Sequence, residues 1–436
     1  MSDHTTRRDF LKRSAGMAAG ALILPQIIPS TALGMGGKLP PSDRIVVGAI
    51  GTGQRGMANL RDFLKRTNVV QQVSVCDVDT THSARAKEMI DTVNKNSDCR
   101  VYGDYREFLE KEKLDAVSIT IPDHWHGLVY IAAADKKLDV YAEKPLARTI
   151  YDSRAIVNAV KRNNIVWQTG SWQRSRPIFH HAAELVINGR IGKVTHIEVG
   201  LPDGGQGIGT PPPMAVPAGL NWEMWLGPAP LVPFRGVCHW HWRWILDYSG
   251  GQLTDWAGHH IDIAQWGIGM ERSGPIEISG EGIYPRDGIY NTPIEYDFMC
   301  KYANGIEMRV ANSSRLPHGG GTTWYGEKGW ISVDRGRLEA SDPKILNEVI
   351  GENEIHLYKS EDHVGNFLEC IRSRGETIAP ADIAHRSISV GLLGEIAMTT
   401  GSKIQWDPVK EEISGNSVAS RLLTRAYRQP WILPTI

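Results

Sequence analysis

The 436-residue sequence has little cysteine and little phenylalanine, five and seven residues respectively. Cys76, Cys99, Cys238, Cys300 and Cys370 are odd in number, scattered and free of C-x-x-C spacing. That pattern excludes a disulfide framework and a cysteine-based zinc site. An excess of one charge is also missing, since 48 Lys and Arg face 49 Asp and Glu for a formal net charge of −1. So balanced a chain offers no field for nucleic acid or an anionic membrane. Nor does it contain the ~20 successive apolar residues that span a bilayer. The candidate from about Ala15 to Ile28 is broken by Pro25. What the chain does have is tryptophan, 14 of them. Flat indoles carrying one N–H stack on the C–H faces of sugars, or else fill cores.

The segment "TTRRDFLKRS" places Arg7 and Arg8 ahead of Phe10 and Leu11, with small and apolar residues following. A basic start, a short apolar stretch and small residues near Ala32 to Gly34 have the layout of a secretory signal. Arg-Arg-x-Phe-Leu resembles the twin-arginine export signal, which is read by a receptor and is not an anchor. The resemblance implies a periplasmic or otherwise exported protein that folds before it leaves. The absence of a disulfide framework agrees with that. The expected organisation is a signal segment over 1–34, a linker over 35–43, a first domain over 44–170 and a second over 171–436.

From Arg44 the sequence reads "RIVVGAIGTGQRGMANLRDFLK". A β-rich run ends in Gly51-Thr52-Gly53-Gln54-Arg55-Gly56, and an amphipathic helix follows. Such a turn presents free backbone N–H groups and a helix N-terminus to a pyrophosphate. A second β run ends in Asp77, whose carboxylate suits the hydroxyls of an adenosine ribose and repels a 2′-phosphate. NAD is therefore expected in preference to NADP. "LDAVSITIPDHWHG" predicts a buried strand over Ala116 to Ile121, with a helix from about His124. "LDVYAEKPLART" predicts another, closed by Glu143-Lys144-Pro145. Alternating strands and helices indicate a doubly wound parallel sheet, with ligands beyond the carboxyl ends of its strands. Asp77, Asp123, His126 and Lys144 all fall at such ends.

Beyond residue 170 the alternation loosens into Gly- and Asn-punctuated antiparallel runs. A Pro- and Gly-rich excursion between Pro202 and Phe234 reads as irregular surface, often functional at that length. In "HWHWRWILDYSGGQLTDWAGHHIDIAQWGIG" a helix is expected from about Thr254. Regular spacing would put Asp255, His259 and Asp262 on one helical face, with His260 turned about 100° away. Three readings stand at this point. One is a proton relay in which a carboxylate orients a histidine base. Another is a metal site from His239, His241, His259 and His260, although no recognised zinc spacing is present. The third is structural, with Asp255 capping the helix and His259 a satisfied buried histidine.

"VVGAIGTGQRG", "ITIPDHWH", "AEKPLA" and "GGQLTDWAGHHIDIAQW", in this order, closely resemble the Gfo/Idh/MocA oxidoreductase family. The resemblance covers essentially the whole chain after the signal segment. It implies an N-terminal Rossmann domain and a C-terminal α/β domain with a large open, mainly antiparallel sheet. By position, it implies Lys144 and His259 as catalytic groups, with Asp255 orienting the histidine. It implies Gly51, Thr52, Gly53, Gln54, Arg55, Gly56 and Asp77 at the dinucleotide, and Pro122, His126, Glu143, Lys144 and Gln173 at its nicotinamide end. Trp225, His241, Arg243, His260 and Asp262 are the implied substrate contacts, with no metal. The expected activity moves a hydride between a secondary hydroxyl of a sugar or glycoside and a tightly bound NAD. Redox-neutral glycoside cleavage or epimerisation through a keto intermediate is the alternative, although the NAD-dependent glycosidases of this superfamily lack the lysine at that strand end. A third class, a sugar-binding protein without catalysis, is opposed by the intact Lys144, Asp255 and His259. The expected partner is a small-molecule carbohydrate, and the open sheet face suggests a homodimer or homotetramer.

Overall fold

The computed structural model describes Pro40, residues 43–236 and residues 240–434. The expected signal over 1–34, most of the linker, Cys238 and His239 lie outside the described residues. Six strands open the chain: β1 (Ile45–Ile50), β2 (Val70–Cys76), β3 (Arg100–Tyr102), β4 (Ala116–Ile119), β5 (Asp139–Ala142) and β6 (Trp167–Thr169). They form one sheet in the order β3-β2-β1-β4-β5-β6, and every neighbouring pair is parallel. β4 and β5 are buried at every residue, as strands covered by helices on both faces must be. The order reverses between β1 and β4, which opens a crevice at their carboxyl ends. β4 is two residues shorter than expected. The next helix opens as a 3-10 turn, Asp123–Trp125, before its regular part.

The helices of this half are α1 (Gln54–Leu64), α2 (Thr80–Asn94), α3 (Tyr105–Lys111), α4 (His126–Asp135) and α5 (Ile150–Asn163). Asp79, Asp104 and Thr149 cap α2, α3 and α5 by accepting from backbone N–H groups. α1 has no side-chain cap and no acidic residue in its first turn. Its leading N–H groups therefore remain open toward the crevice.

After α6 (Pro177–Ile187) comes the second sheet. It uses β7 (Val194–Leu201), β8 (Glu277–Ile283), β9 (Glu295–Lys301), β10 (Glu307–Asn312), β11 (Gly321–Gly326), β12 (Gly329–Asp334), β13 (Arg337–Ala340), β14 (Ile404–Asp407) and β15 (Glu412–Ser414). The order is β13-β12-β11-β7-β10-β9-β8-β14-β15. Only β7 and β10 pair in parallel; the other pairs are antiparallel. The fold is thus a Rossmann sheet joined to an α/β unit with a large, mainly antiparallel sheet. Helices α7 (Trp222–Leu226), α8 (Gly251–Trp256), α9 (Asp262–Gly267), α10 (His363–Ser373), α11 (Ala381–Thr400) and α12 (Ser417–Arg421) complete it. α11 is buried at most of its positions, since it runs through the main core between α5, α8 and β8.

Two segments of the second half return to the first. Val364, Phe367 and Leu368 of α10 cover Ile45, Val47, Phe63 and Val70 at the amino end of the Rossmann strands. The excursion between Pro202 and Phe234 is tied to the exit of β2: Thr80 N donates to Gly219 O at 2.9 Å and Asn221 N to Val78 O at 2.9 Å. The C-terminal tail buckles it down. Arg428 Nε donates to the Gly227 and Ala229 carbonyls, both at 3.0 Å. The Trp431 ring packs 4.7 Å from that of Trp125. Gly227 has φ +49, and a Cβ there would lie 2.0 Å from the Trp125 ring.

Candidate active site

A cleft of about 540 Å³ lies at the carboxyl ends of β1, β2, β4 and β5. Its floor is the glycine turn. Gly51 has φ +82, and a Cβ would sit 1.9 Å from the Thr120 carbonyl oxygen; at Gly56 a Cβ would sit 2.1 Å from the Gly51 carbonyl oxygen. No side chain fits at either position, so α1 presses against the turn with its uncapped N-terminus facing the cleft. Gly53, Gln54 and Arg55 line the cleft beside these glycines. Thr52 is buried beneath. Its backbone N and its Oγ1 donate to Asp77 Oδ2 at 2.7 and 2.9 Å.

Asp77 stands at the exit of β2 and also accepts from Asp79 N at 2.9 Å. Burial pushes its carboxyl up, but His82 and the Thr52 and Asp79 N–H groups outweigh that and hold it below the usual range. His82 is raised in return by its contact with Asp77. Arg85, exposed on α2, lines the same end of the cleft. The preference for NAD expected from the sequence rested on Asp77 alone and took no account of this arginine, two helical turns along.

At the other end, Lys144 follows β5 and its Nζ donates to Asp255 Oδ1 at 2.7 Å. Arg243 Nε lies 3.6 Å from the same oxygen. Burial pushes the Asp255 carboxyl up, while Lys144 and Arg243 together bring it below its ordinary value. Glu143 Oε1 accepts from Arg55 Nε at 2.6 Å and from Asn59 Nδ2 at 3.0 Å. The glycine turn and the β5 crest are thereby cross-linked. Pro122, Trp225 and Arg243 line the cleft as well. The Trp225 ring stacks 4.9 Å from that of Trp222, and the Arg243 guanidinium lies 4.5 Å from the Trp242 ring. Asp123, whose carboxyl is raised by burial, accepts from Ser249 Oγ at 2.6 Å.

The helix expected to align Asp255, His259 and Asp262 is interrupted. α8 ends at Trp256, a π turn runs over Ala257–Ile261, and α9 begins at Asp262. The wider turn breaks the regular i, i+4 alignment. Asp255 therefore pairs with Lys144 and Arg243 rather than with His259, whose Nδ1 is buried without a hydrogen-bond partner. That corrects the expected orienting contact. His259 is flanked by the Trp172 and Trp256 rings at 6.1 and 5.8 Å. Burial, then Lys144 and Arg335, hold its imidazole well below the usual histidine range.

Other expected residues are located elsewhere. Both Asp262 oxygens are occupied, by Arg174 Nε at 2.6 Å, Arg174 Nη2 at 3.0 Å and Ser387 Oγ at 2.7 Å. The pair is fully buried, so Asp262 braces the core and is closed to a substrate. His126 sits beneath the cleft, its ring nitrogens 2.7 and 3.0 Å from the Pro145 and Ile121 carbonyl oxygens. It buttresses two strand ends and does not line the cavity. His260 is buried, with Gln173 Nε2 donating to its Nδ1 at 3.2 Å; burial lowers it to about 4 against the pull of Asp334. His241 bonds through Nδ1 to the Tyr290 hydroxyl. These histidines do not converge with His259, and the described residues contain no cluster of three or more metal-ligating side chains.

Residues 45–171 match the family described as "Oxidoreductase family, NAD-binding Rossmann fold", and residues 205–433 match "Oxidoreductase family, C-terminal alpha/beta domain". The scyllo-inositol 2-dehydrogenase (NAD(+)) of Bacillus subtilis (strain 168) is 25% identical over 327 residues, 71% of this chain and 82% of its own. A glycosyl hydrolase family 109 protein of Shewanella pealeana is 28% identical over 170 residues, 36% of this chain and 37% of its own. Among solved structures, an aldose-aldose oxidoreductase from Caulobacter crescentus shares the fold with a TM-score of 0.60. It is 15% identical, with coverage of 83% of this chain and 99% of that one.

Proposed function

The chain belongs to the GFO/IDH/MocA oxidoreductase family, and from that premise we propose that it oxidises a secondary hydroxyl of a sugar or glycoside with a tightly held NAD. One observation carries the reading. A single cleft joins the uncapped N-terminus of α1 and Asp77 to the Lys144–Asp255 pair. The fit to a dinucleotide rests on that open helix end, which offers unpaired N–H groups to a pyrophosphate, and on two glycines whose Cβ atoms would fill the cradle. The nicotinamide supplies the hydride acceptor when bound.

The chain's own residues do the rest. Lys144 donates to the substrate oxygen and lowers the energy of the developing alkoxide, while Asp255 fixes the ammonium in place. His259, neutral at physiological pH, accepts the hydroxyl proton. Trp225 and Arg243 hold the ring. Asp77 favours NAD over NADP in this reading, with His82 and Arg85 beside it.

Residues 1–34 direct export, to a compartment where no dinucleotide pool reloads the enzyme. One sugar is therefore oxidised and a second, a keto-sugar, is reduced, and the pair balances with the cofactor never leaving. The test is to dialyse the purified protein exhaustively and add sugars with no NAD. A single-turnover change in nicotinamide absorbance, reversed by a keto-sugar, is expected. Protein that works only with added millimolar NAD refutes the retained cofactor. Aglycone release without net absorbance change would move the assignment to redox-neutral cleavage.

A further inference from the structure

We infer that the substrate carries a carboxylate, and that the guanidinium of Arg335 receives it. The inference rests on the sugar-oxidoreductase reading above and names its substrate class: a sugar acid, or a glycoside bearing one.

Arg335 lies in the turn between β12 and β13, far in sequence from every motif of the cleft, and is exposed. Its guanidinium carbon is 4.6 Å from the Trp172 ring centroid and 4.3 Å from that of Trp256. These are the two indoles that flank His259. A cation is thus held over aromatic faces beside the proposed base. The guanidinium makes long hydrogen bonds from Nε and Nη2 to Gln173 Oε1, at 3.4 and 3.3 Å. Its neighbour Asp334 accepts from the Arg335 backbone N at 2.7 Å and lies 3.5 Å from His260 Nε2, so that Asp334 and Asp255 act on the guanidinium only through space.

Of the cations that line the cleft, those around Lys144 have carboxylates, whereas Arg85 stands apart at the Asp77 end. Arg55 has Glu143, while Lys144 and Arg243 share Asp255. Among the described residues no carboxylate lies within ion-pair distance of the Arg335 guanidinium. Indole faces fix the plane of a guanidinium without consuming its N–H donors. A planar fork with donors to spare matches a carboxylate better than it matches a hydroxyl. The placement also serves the chemistry. Arg335 is one of the charges that depress His259, so an anion bound to it makes that imidazole a better proton acceptor.

The test uses the full-length protein with its cofactor and pairs of methyl glycosides differing only at C6, glucuronoside with glucoside, galacturonoside with galactoside, and mannuronoside with mannoside. Binding is read by calorimetry and turnover by nicotinamide absorbance. In at least one pair the acid is expected to bind at least about tenfold tighter, the scale of a charge-assisted hydrogen bond. Arg335→Met should reduce that acid-to-neutral ratio about tenfold or more, and Arg335→Lys should restore part of it. Arg335→Gln replaces the Met variant should that one not fold. Neutral members binding as well as acids in every pair would overturn the inference. So would an Arg335→Met that weakens both members equally, since this would make Arg335 a positioning residue. Acids that bind in the expected pattern without any absorbance change refute the oxidoreductase reading and leave the carboxylate assignment standing. Neutral sugars that reduce the cofactor as well as acids do the opposite.

Discussion

Lys144 and His259 sit in contrasting surroundings, and the contrast predicts how each substitution behaves. Lys144 is anchored through Asp255, which keeps Arg243 within 3.6 Å if the lysine is lost. Lys144→Ala should therefore remain folded while kcat falls by ~10²–10⁴-fold, the range for a positioned acid–base group. His259→Ala should do the same, and circular dichroism together with steady-state rates checks both. The His259 imidazole is held well below its usual range by burial and by Lys144 and Arg335, so it is unprotonated across neutral pH. The rate should accordingly show no acid limb between about pH 8 and 6, whereas an unperturbed histidine base would lose activity near ~6.5. A limb centred there would remove His259 from the role. Asp77 and Lys144 were legible in the sequence because each closes a strand in a local motif. The surroundings of Asp262 were not, since Arg174 and Ser387 reach it from remote parts of the chain. Arg335 had no signal at all, its importance arising only when a distant hairpin turn meets Trp172 and Trp256.

At the scale of elements, strands and turns were the readable part. β1 begins and ends where the apolar run does, and the glycine turn follows it directly. Helix phase was the unreadable part. A π turn over Ala257–Ile261 has no composition of its own, and it redirected Asp255 from His259 to Lys144. The excursion was expected as irregular surface, but sequence alone could not show that it is clasped between β2 and the C-terminal tail. That clasp predicts a kinetic phenotype. Gly227→Val forces a side chain into a space where a Cβ already lies 2.0 Å from the Trp125 ring, at a φ of +49. Loosening the clasp should speed release of bound NADH about tenfold or more, corresponding to the ~1–3 kcal/mol of a strained backbone site. Trp431→Ala, which removes the tail's ring from Trp125, should act in the same direction. Displacement of NADH followed by fluorescence measures both. Unchanged release in both variants would disconnect the excursion from cofactor retention.

For the molecule as a whole, the buried imidazoles set the response to acid. Burial lowers His124 to about 3 and both His260 and His363 to about 4, and also depresses His126, His259 and His385. Between those values and the ~6.5 of a free histidine, the unfolded chain binds more protons than the folded one, so stability falls as pH falls. Each group contributes a slope of ~1.4 kcal/mol per pH unit within its window. Asp123, Asp139 and Asp152 are raised by burial and act oppositely, since the folded state takes up their protons first. Six imidazoles outweigh three carboxyls, and the thermal midpoint should drop between about pH 6.5 and 5. A flat or rising midpoint would contradict the buried neutral histidines. One further consequence belongs to biosynthesis. α10 supplies Val364, Phe367 and Leu368 to the amino end of the first sheet, and it emerges from the ribosome long after β6. The nascent dinucleotide-binding half therefore waits with Ile45, Val47 and Phe63 uncovered, a state that attracts chaperones and aggregation. Closure of that sheet is a late event in synthesis, and the first half cannot complete its packing until the second has been made.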